Sequence, residues 1–170
     1  ARRAGGREGR GAGGVGGERR GGGGEGAGTG VAGMLAVRSA YLSGGQRCTA
    51  ARRLIVADGA HEPLVEAITR LIDRIIVDHP HADPQPFMGP VIDLAAADHL
   101  QSQWVELMIK GGKPIRRLDR PLEERPYLTP ALIDVTDVAD RPDEEMFGPV
   151  LQRILVSYFD AAIDETNNTR

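Results

Sequence analysis

A chain of 170 residues, 41% apolar and with a net charge of −3, has room for one ordinary domain and no electrostatic bias towards nucleic acid or anionic membranes. Its single cysteine excludes an internal disulfide and fits a reducing compartment. No apolar run approaches the ~20 residues of a membrane-spanning helix and no signal-peptide core opens the chain, so a cytoplasmic location is expected.

Residues 1–33 are about half glycine, with Arg and Glu scattered among them and almost nothing to bury. Such a segment cannot offset the entropy of ordering its backbone, which predicts a disordered low-complexity tail ahead of a domain over 34–170. Two Gly-x-Gly-x-x-Gly patterns fall in it, at Gly9/Gly11/Gly14 and Gly28/Gly30/Gly33. A phosphate cradle needs a strand before these glycines, and neither set has one; at this glycine content roughly one window in eight matches by accident. The Arg-Gly runs (Arg10-Gly11, Arg19-Arg20-Gly21) suggest RNA, but Glu8, Glu18 and Glu25 dilute the charge and no aromatic is present to stack on a base. No nucleic-acid partner is expected.

Met34–Leu42 reads as a short helix stopped by Gly44-Gly45, and Arg52–Ala57 as a strand with β-branched Ile55 and Val56. Asp58 is placed to cap the next helix, with Pro63 in its first turn and Leu64, Val65, Ile68, Leu71, Ile72, Ile75 and Ile76 along one stripe. Asp78–Pro90 is a proline-rich connection whose His79 and His81 lack acidic or thiol partners at ligand spacing, so no metal site is expected. Asp93 should cap a helix through Lys110, ended by Gly111-Gly112, with Trp104 on its core face. Lys113–Leu118 and Tyr127–Val135 suggest strands joined by a charged turn, Val150–Tyr158 a further strand, and Phe159–Asn167 a helix. Helices interleaved with strands predict an α/β domain with a mainly parallel sheet.

Cys48 stands between a helix and a strand, behind two glycines that permit tight backbone and leave room beside a sulfur. That is the setting of a presented nucleophile. The competing reading is a packed cysteine acting as a small apolar side chain, in a non-catalytic remnant or binding module.

The neighbours bear on this choice. Gly45-Gln46-Arg47-Cys48-Thr49-Ala50-Ala51-Arg52-Arg53-Leu54, then Pro142-Asp143-Glu144-Glu145-Met146-Phe147-Gly148-Pro149-Val150, then Asn167-Asn168-Thr169-Arg170, resemble in order and spacing three signatures of the aldehyde dehydrogenase superfamily. With Pro84-Gln85-Pro86-Phe87-Met88-Gly89, they look most similar to its branch acting on N-succinylglutamate 5-semialdehyde in bacterial arginine catabolism. The resemblance implies a partial catalytic domain of Rossmann-like α/β type and NAD(P)-dependent oxidation of an aldehyde. In it Cys48 is the nucleophile, and its backbone N–H is one oxyanion donor. Glu145 takes the ribose hydroxyls of the cofactor, NAD or NADP, and Phe147 packs beside the nicotinamide; Glu144 faces solvent. Arg47 either favours the thiolate by its charge or makes a structural salt bridge. Full-length family members are homo-oligomers. Their general-base glutamate, oxyanion asparagine and Gly-rich cofactor half precede the cysteine, where this chain has its glycine-rich tail. The chain is therefore expected to be a fragment with a reactive thiol and little turnover of its own.

Overall fold

The computed structural model describes residues 25–59 and 62–168. Gly9/Gly11/Gly14 and the Arg-Gly runs lie outside the described residues. The described chain runs α1 (Glu25–Tyr41), a 3₁₀ turn (Leu42–Gly45), β1 (Arg53–Ala57), α2 (Glu62–Ile72), α3 (Leu94–Ile109), β2 (Lys113–Arg116), β3 (Ala131–Asp134), β4 (Val150–Val156) and α4 (Phe159–Asn167).

The four strands form one sheet in the order β1-β4-β3-β2. β4 is central and parallel to both neighbours, with Ile55 opposite Ile154 and Ile133 opposite Gln152. β2 alone runs antiparallel, on the edge, with a bulge between Pro114 and Arg116. The sheet is mainly parallel, as the interleaved pattern predicts.

Side chains alternate across the sheet, and the core divides accordingly. Leu54, Val56, Leu132 and Leu151 pack on one face with Ala36, Val37, Ala40 and Tyr41 of α1 and Val65, Ile68 and Ile72 of α2. Ile55, Ile133, Val150 and Ile154 pack on the other with Ala97, Leu100, Trp104 and Leu107 of α3. Two helical layers thus cover a sheet that is apolar on both sides, the arrangement a parallel sheet requires. Trp104, only 4% exposed, is core.

Helix α1 begins at Glu25, so residues 25–33 are helical where glycine content predicts a disordered tail. The end of this stretch meets α2. A Cβ on Gly33 would stand 3.2 Å from that of Ala67, so the small residue permits close helix approach. Gly28, Gly30 and Gly33 are helix positions in the structure and form no phosphate-binding turn.

Asp58 accepts from the Gly59 N–H within its own turn and does not stand at the start of α2, which opens at Glu62. That helix ends at Ile72, earlier than the apolar stripe suggests; Ile75 still packs on the core and Ile76 is exposed. Asp93 caps α3 as expected, its carboxylate accepting from the Ala96 N–H at 2.7 Å. Left-handed Gly111 (φ 102°) ends that helix, and the Gly112 N–H returns to the Leu107 carbonyl. β2 and β3 are shorter than predicted. Pro126 and Pro130 flank the residues missing from β3 and lack the N–H a ladder needs, while Thr129 ties this stretch to Asp119 by side chain and backbone.

Candidate active site

The chain leaves α1 through a turn in which Ser43, Gly44 and Gly45 all have positive φ (59°, 64° and 70°). This reversal carries the backbone into a loop at 46–52 ahead of β1. The second glycine is required by contact as well as by conformation. A Cβ on Gly45 would lie 2.2 Å from the Gly148 carbonyl oxygen and 2.9 Å from that of Ala40. Gly148 is equally enclosed, since its own Cβ would meet Leu100 Cδ1 at 2.3 Å. The cysteine loop and the Phe147-Gly148-Pro149 segment therefore touch backbone to backbone, and the glycines serve this crossing more than space beside the sulfur.

Gln46 anchors the loop on its other side. Its Oε1 accepts from the Ile92 N–H at 2.7 Å, and its Nε2 donates to the carbonyls of Ser43 (3.1 Å) and Pro90 (3.3 Å). The Ala51 N–H reaches back to the Ser39 carbonyl of α1, and the Ala50 N–H closes a turn on the Arg47 carbonyl. Cys48 sits in this turn with its side chain exposed. That exposure is unlike the small apolar packing that the competing reading of Cys48 expects. Among the described residues the Cys48 N–H donates to no protein oxygen. Arg47 is exposed and makes no ion pair among the described residues; its carbonyl is what the structure uses.

The segment before β4 supplies the remaining groups. Glu145 and Phe147 are both about half exposed. Glu144 points outward and pairs with His99 at 3.5 Å, both well exposed. Met146, between Glu145 and Phe147, is buried in the α3 layer and fixes the alternation that turns its two neighbours outward.

Arg52 joins the two segments. Its Nε and Nη2 approach Glu145 Oε1 at 3.2 and 3.1 Å, its Nη1 donates to the Gly148 carbonyl at 3.4 Å, and its Nη2 donates to the Arg47 carbonyl at 3.3 Å. The guanidinium carbon also lies 5.3 Å from the centroid of the Phe147 ring, in cation–π range. Burial lowers the Arg52 pKa from its ordinary value, and the hydrogen bond and charge of Glu145 oppose that shift. Arg53, the next residue, points the other way and pairs with Asp143 and Glu165. Neither Gln46 nor Arg52 stands out in the sequence as a site residue. The available signal for Arg52 was chemical: an arginine at the head of an apolar strand needs a carboxylate, and Glu145 lies in the second signature.

His79 and His81 lie on an exposed loop with ring centroids 5.3 Å apart, and among the described residues no cluster of three His, Cys, Asp or Glu side chains could hold a metal ion.

The chain is 56% identical over 138 residues to an N-succinylglutamate 5-semialdehyde dehydrogenase of Sphingopyxis alaskensis, covering 81% of this chain and 29% of that protein. It is 55% identical over 139 residues to the enzyme of the same name from Novosphingobium aromaticivorans, covering 82% and 30%. A 1-pyrroline-5-carboxylate dehydrogenase from Thermus, solved with bound NAD, superposes with a TM-score of 0.68 at 31% identity, over 83% of this chain and 27% of that one. The chain thus spans just under a third of the length of these relatives. The profile described as "Aldehyde dehydrogenase family" matches residues 26–170, which include α1, the cysteine loop and the Glu145–Phe147 segment. With this sheet, these signatures in this order and a match across nearly all the described residues, the chain belongs to the aldehyde dehydrogenase family.

Proposed function

We propose that this chain carries the nucleophile and part of the nicotinamide-side cofactor contacts of an NAD-dependent dehydrogenase acting on N-succinylglutamate 5-semialdehyde, a step in arginine degradation. The observation that carries the proposal is the exposed Cys48 on a loop held directly against the Glu145–Phe147 segment. The identity to enzymes named for that semialdehyde supports the choice of substrate. Such an enzyme would work in the cytoplasm as a homo-oligomer, and among the described residues no helix is long and apolar enough to cross a membrane.

An aldehyde carbon cannot release hydride until it becomes tetrahedral, which is why the chemistry calls for a nucleophile. The Cys48 thiolate adds to the carbonyl carbon, forming a C–S bond, and the carbonyl oxygen takes up the negative charge. The Cys48 N–H, which no described protein oxygen uses, would donate to that oxyanion. As the C=O bond re-forms, the carbon gives up hydride and leaves a thioester on Sγ; water then cleaves it to the acid and the free thiol. NAD, when bound, supplies the hydride acceptor. The residues fit such a group. Arg52 meets Glu145 through Oε1, the half-exposed carboxylate could still accept from a ribose hydroxyl, and Phe147 offers a half-exposed ring beside it.

Alkylation of Cys48 in the folded chain tests this reading. Iodoacetamide should modify Cys48 under native conditions, and N-succinylglutamate 5-semialdehyde should slow that modification by competing for the sulfur. A thiol inert until denaturation, or one whose alkylation ignores the aldehyde, would overturn the assignment.

A further inference from the structure

We propose that Arg52 is a positioning residue that locks the nucleophile loop and the Glu145–Phe147 segment into one unit, through its bonds to the Arg47 carbonyl, the Glu145 carboxylate and the Gly148 carbonyl. This deepens the functional proposal and rests on it for its relevance to catalysis, although the coupling itself is a property of the fold.

Arg52 has 14% of its side chain exposed, so its donors are largely committed to protein acceptors. Those acceptors lie on both segments that the site needs, on residues 5 positions before it and 93 and 96 after it. Two of the acceptors are backbone carbonyls that also close the local turns. The Arg47 carbonyl takes the Ala50 N–H at 3.0 Å, and the Gly148 carbonyl takes the Val150 N–H at 2.8 Å. One planar cation thus braces the turn presenting Cys48 and the turn presenting Phe147 together. A guanidinium suits this task because its donors are fixed in one plane and diverge, whereas an ammonium concentrates its charge at a single point. The arrangement also orients Glu145. Nε and Nη2 both approach Oε1, and the guanidinium lies over the Phe147 ring that neighbours it.

Hydrogen exchange on the full chain, in the wild type and in Arg52→Met and Arg52→Lys, tests the inference through the Ala50 and Val150 amides. With methionine both should exchange faster, on the order of fivefold, the scale of losing one net hydrogen bond near each turn. The α3 and β3 amides should keep wild-type rates. With lysine, the Glu145 ion pair remains while the divergent donors to the Arg47 and Gly148 carbonyls are lost, so Ala50 and Val150 should both exchange as in the methionine variant. Unchanged rates at both reporters in the methionine variant would overturn the proposal. So would acceleration spread evenly through α3 and β3, which is general destabilisation, or a lysine variant indistinguishable from wild type at Ala50. If the methionine variant does not fold, the lysine variant decides alone. Cys48→Ser should leave both reporters unchanged, so a failure of the Cys48 assignment in the alkylation assay is distinguishable from a failure of the coupling.

Discussion

Replacing Gly45 by alanine should be among the most damaging single-methyl additions in this chain. Two costs combine. A non-glycine residue held at φ 70° gives up roughly 1–2 kcal/mol of backbone energy. The new methyl would stand 2.2 Å from the Gly148 oxygen and 2.6 Å from its carbonyl carbon, against ordinary contact beginning near 3.4 Å. Both obstacles are backbone, so relief means parting the cysteine loop from the Gly148 segment, an overpacking cost of roughly 1–3 kcal/mol. The total is about 2–5 kcal/mol, a large share of a typical domain's stability. Gly59 isolates the terms: its φ is 82°, yet among the described residues nothing lies within 4 Å of its would-be Cβ. Gly59→Ala should therefore lose only the roughly 1–2 kcal/mol backbone cost. Urea titrations of both variants against wild type make the comparison. Equal losses for the two, or a milder loss at Gly45, would refute the claim that the crossing is sterically closed.

Tyr41 is fully buried and donates its hydroxyl to the Ala131 carbonyl at 2.9 Å. Tyr41→Phe should lower stability by about 1–2 kcal/mol in the same titration, and a negligible change would deny this bond its part in joining α1 to β3. Burial drives the Tyr41 pKa far upward, so alkaline conditions that ionise ordinary tyrosines should leave it protonated for as long as the fold holds; ultraviolet difference titration reads this directly. At the acid end, burial alone would raise Asp134. The Thr136 hydroxyl and N–H and the Arg153 guanidinium outweigh it and hold the carboxyl below its ordinary value. Its unfolded value is near ~3.9, so its stabilising contribution is complete above that pH and disappears as pH falls through the lower folded value. Stability measured from about pH 5 downward should fall less steeply in Asp134→Asn than in wild type.

Much of the architecture was legible because periodicity reports directly on burial. The stripes of α2 and α3, the β-branched run of β1 and the apolar run at β4 each placed an element within a few residues. Apart from Asp58, which is held by its neighbour Gly59, the main misreadings share dependence on a partner distant in sequence. Residues 25–33 have a disorder-prone composition, and the contact of Gly33 with Ala67 becomes visible only once α1 lies on α2. The far ends of the expected β2 and β3 strands gave way to a loop pinned by Thr129 between two prolines. At the site, the signatures named Cys48, Glu145 and Phe147 but not what joins them. Gln46 finds its partners near residue 90, and Arg52 finds its carboxylate 93 residues away.

The direction of the strands has a consequence for how this domain can change. β1 and β4 are parallel, and both site segments enter at their amino ends: residues 46–52 lead into β1 and residues 145–149 into β4. Open α/β sheets more often gather ligands at the carboxyl ends of their strands. Here that opposite rim, with the Asp58–Gly59 turn after β1, carries none of the candidate groups, and no described residue lies within 4 Å of a Cβ placed on Gly59. Connections on that rim can lengthen or be recoded without moving the thiol. On the amino side the tolerance vanishes, because one extra residue between Cys48 and Arg53 would either slip β1 by one place and exchange its two apolar faces, or pull Arg52 away from Glu145. Evolutionary drift and engineering alike have one permissive rim and one fixed rim to work with.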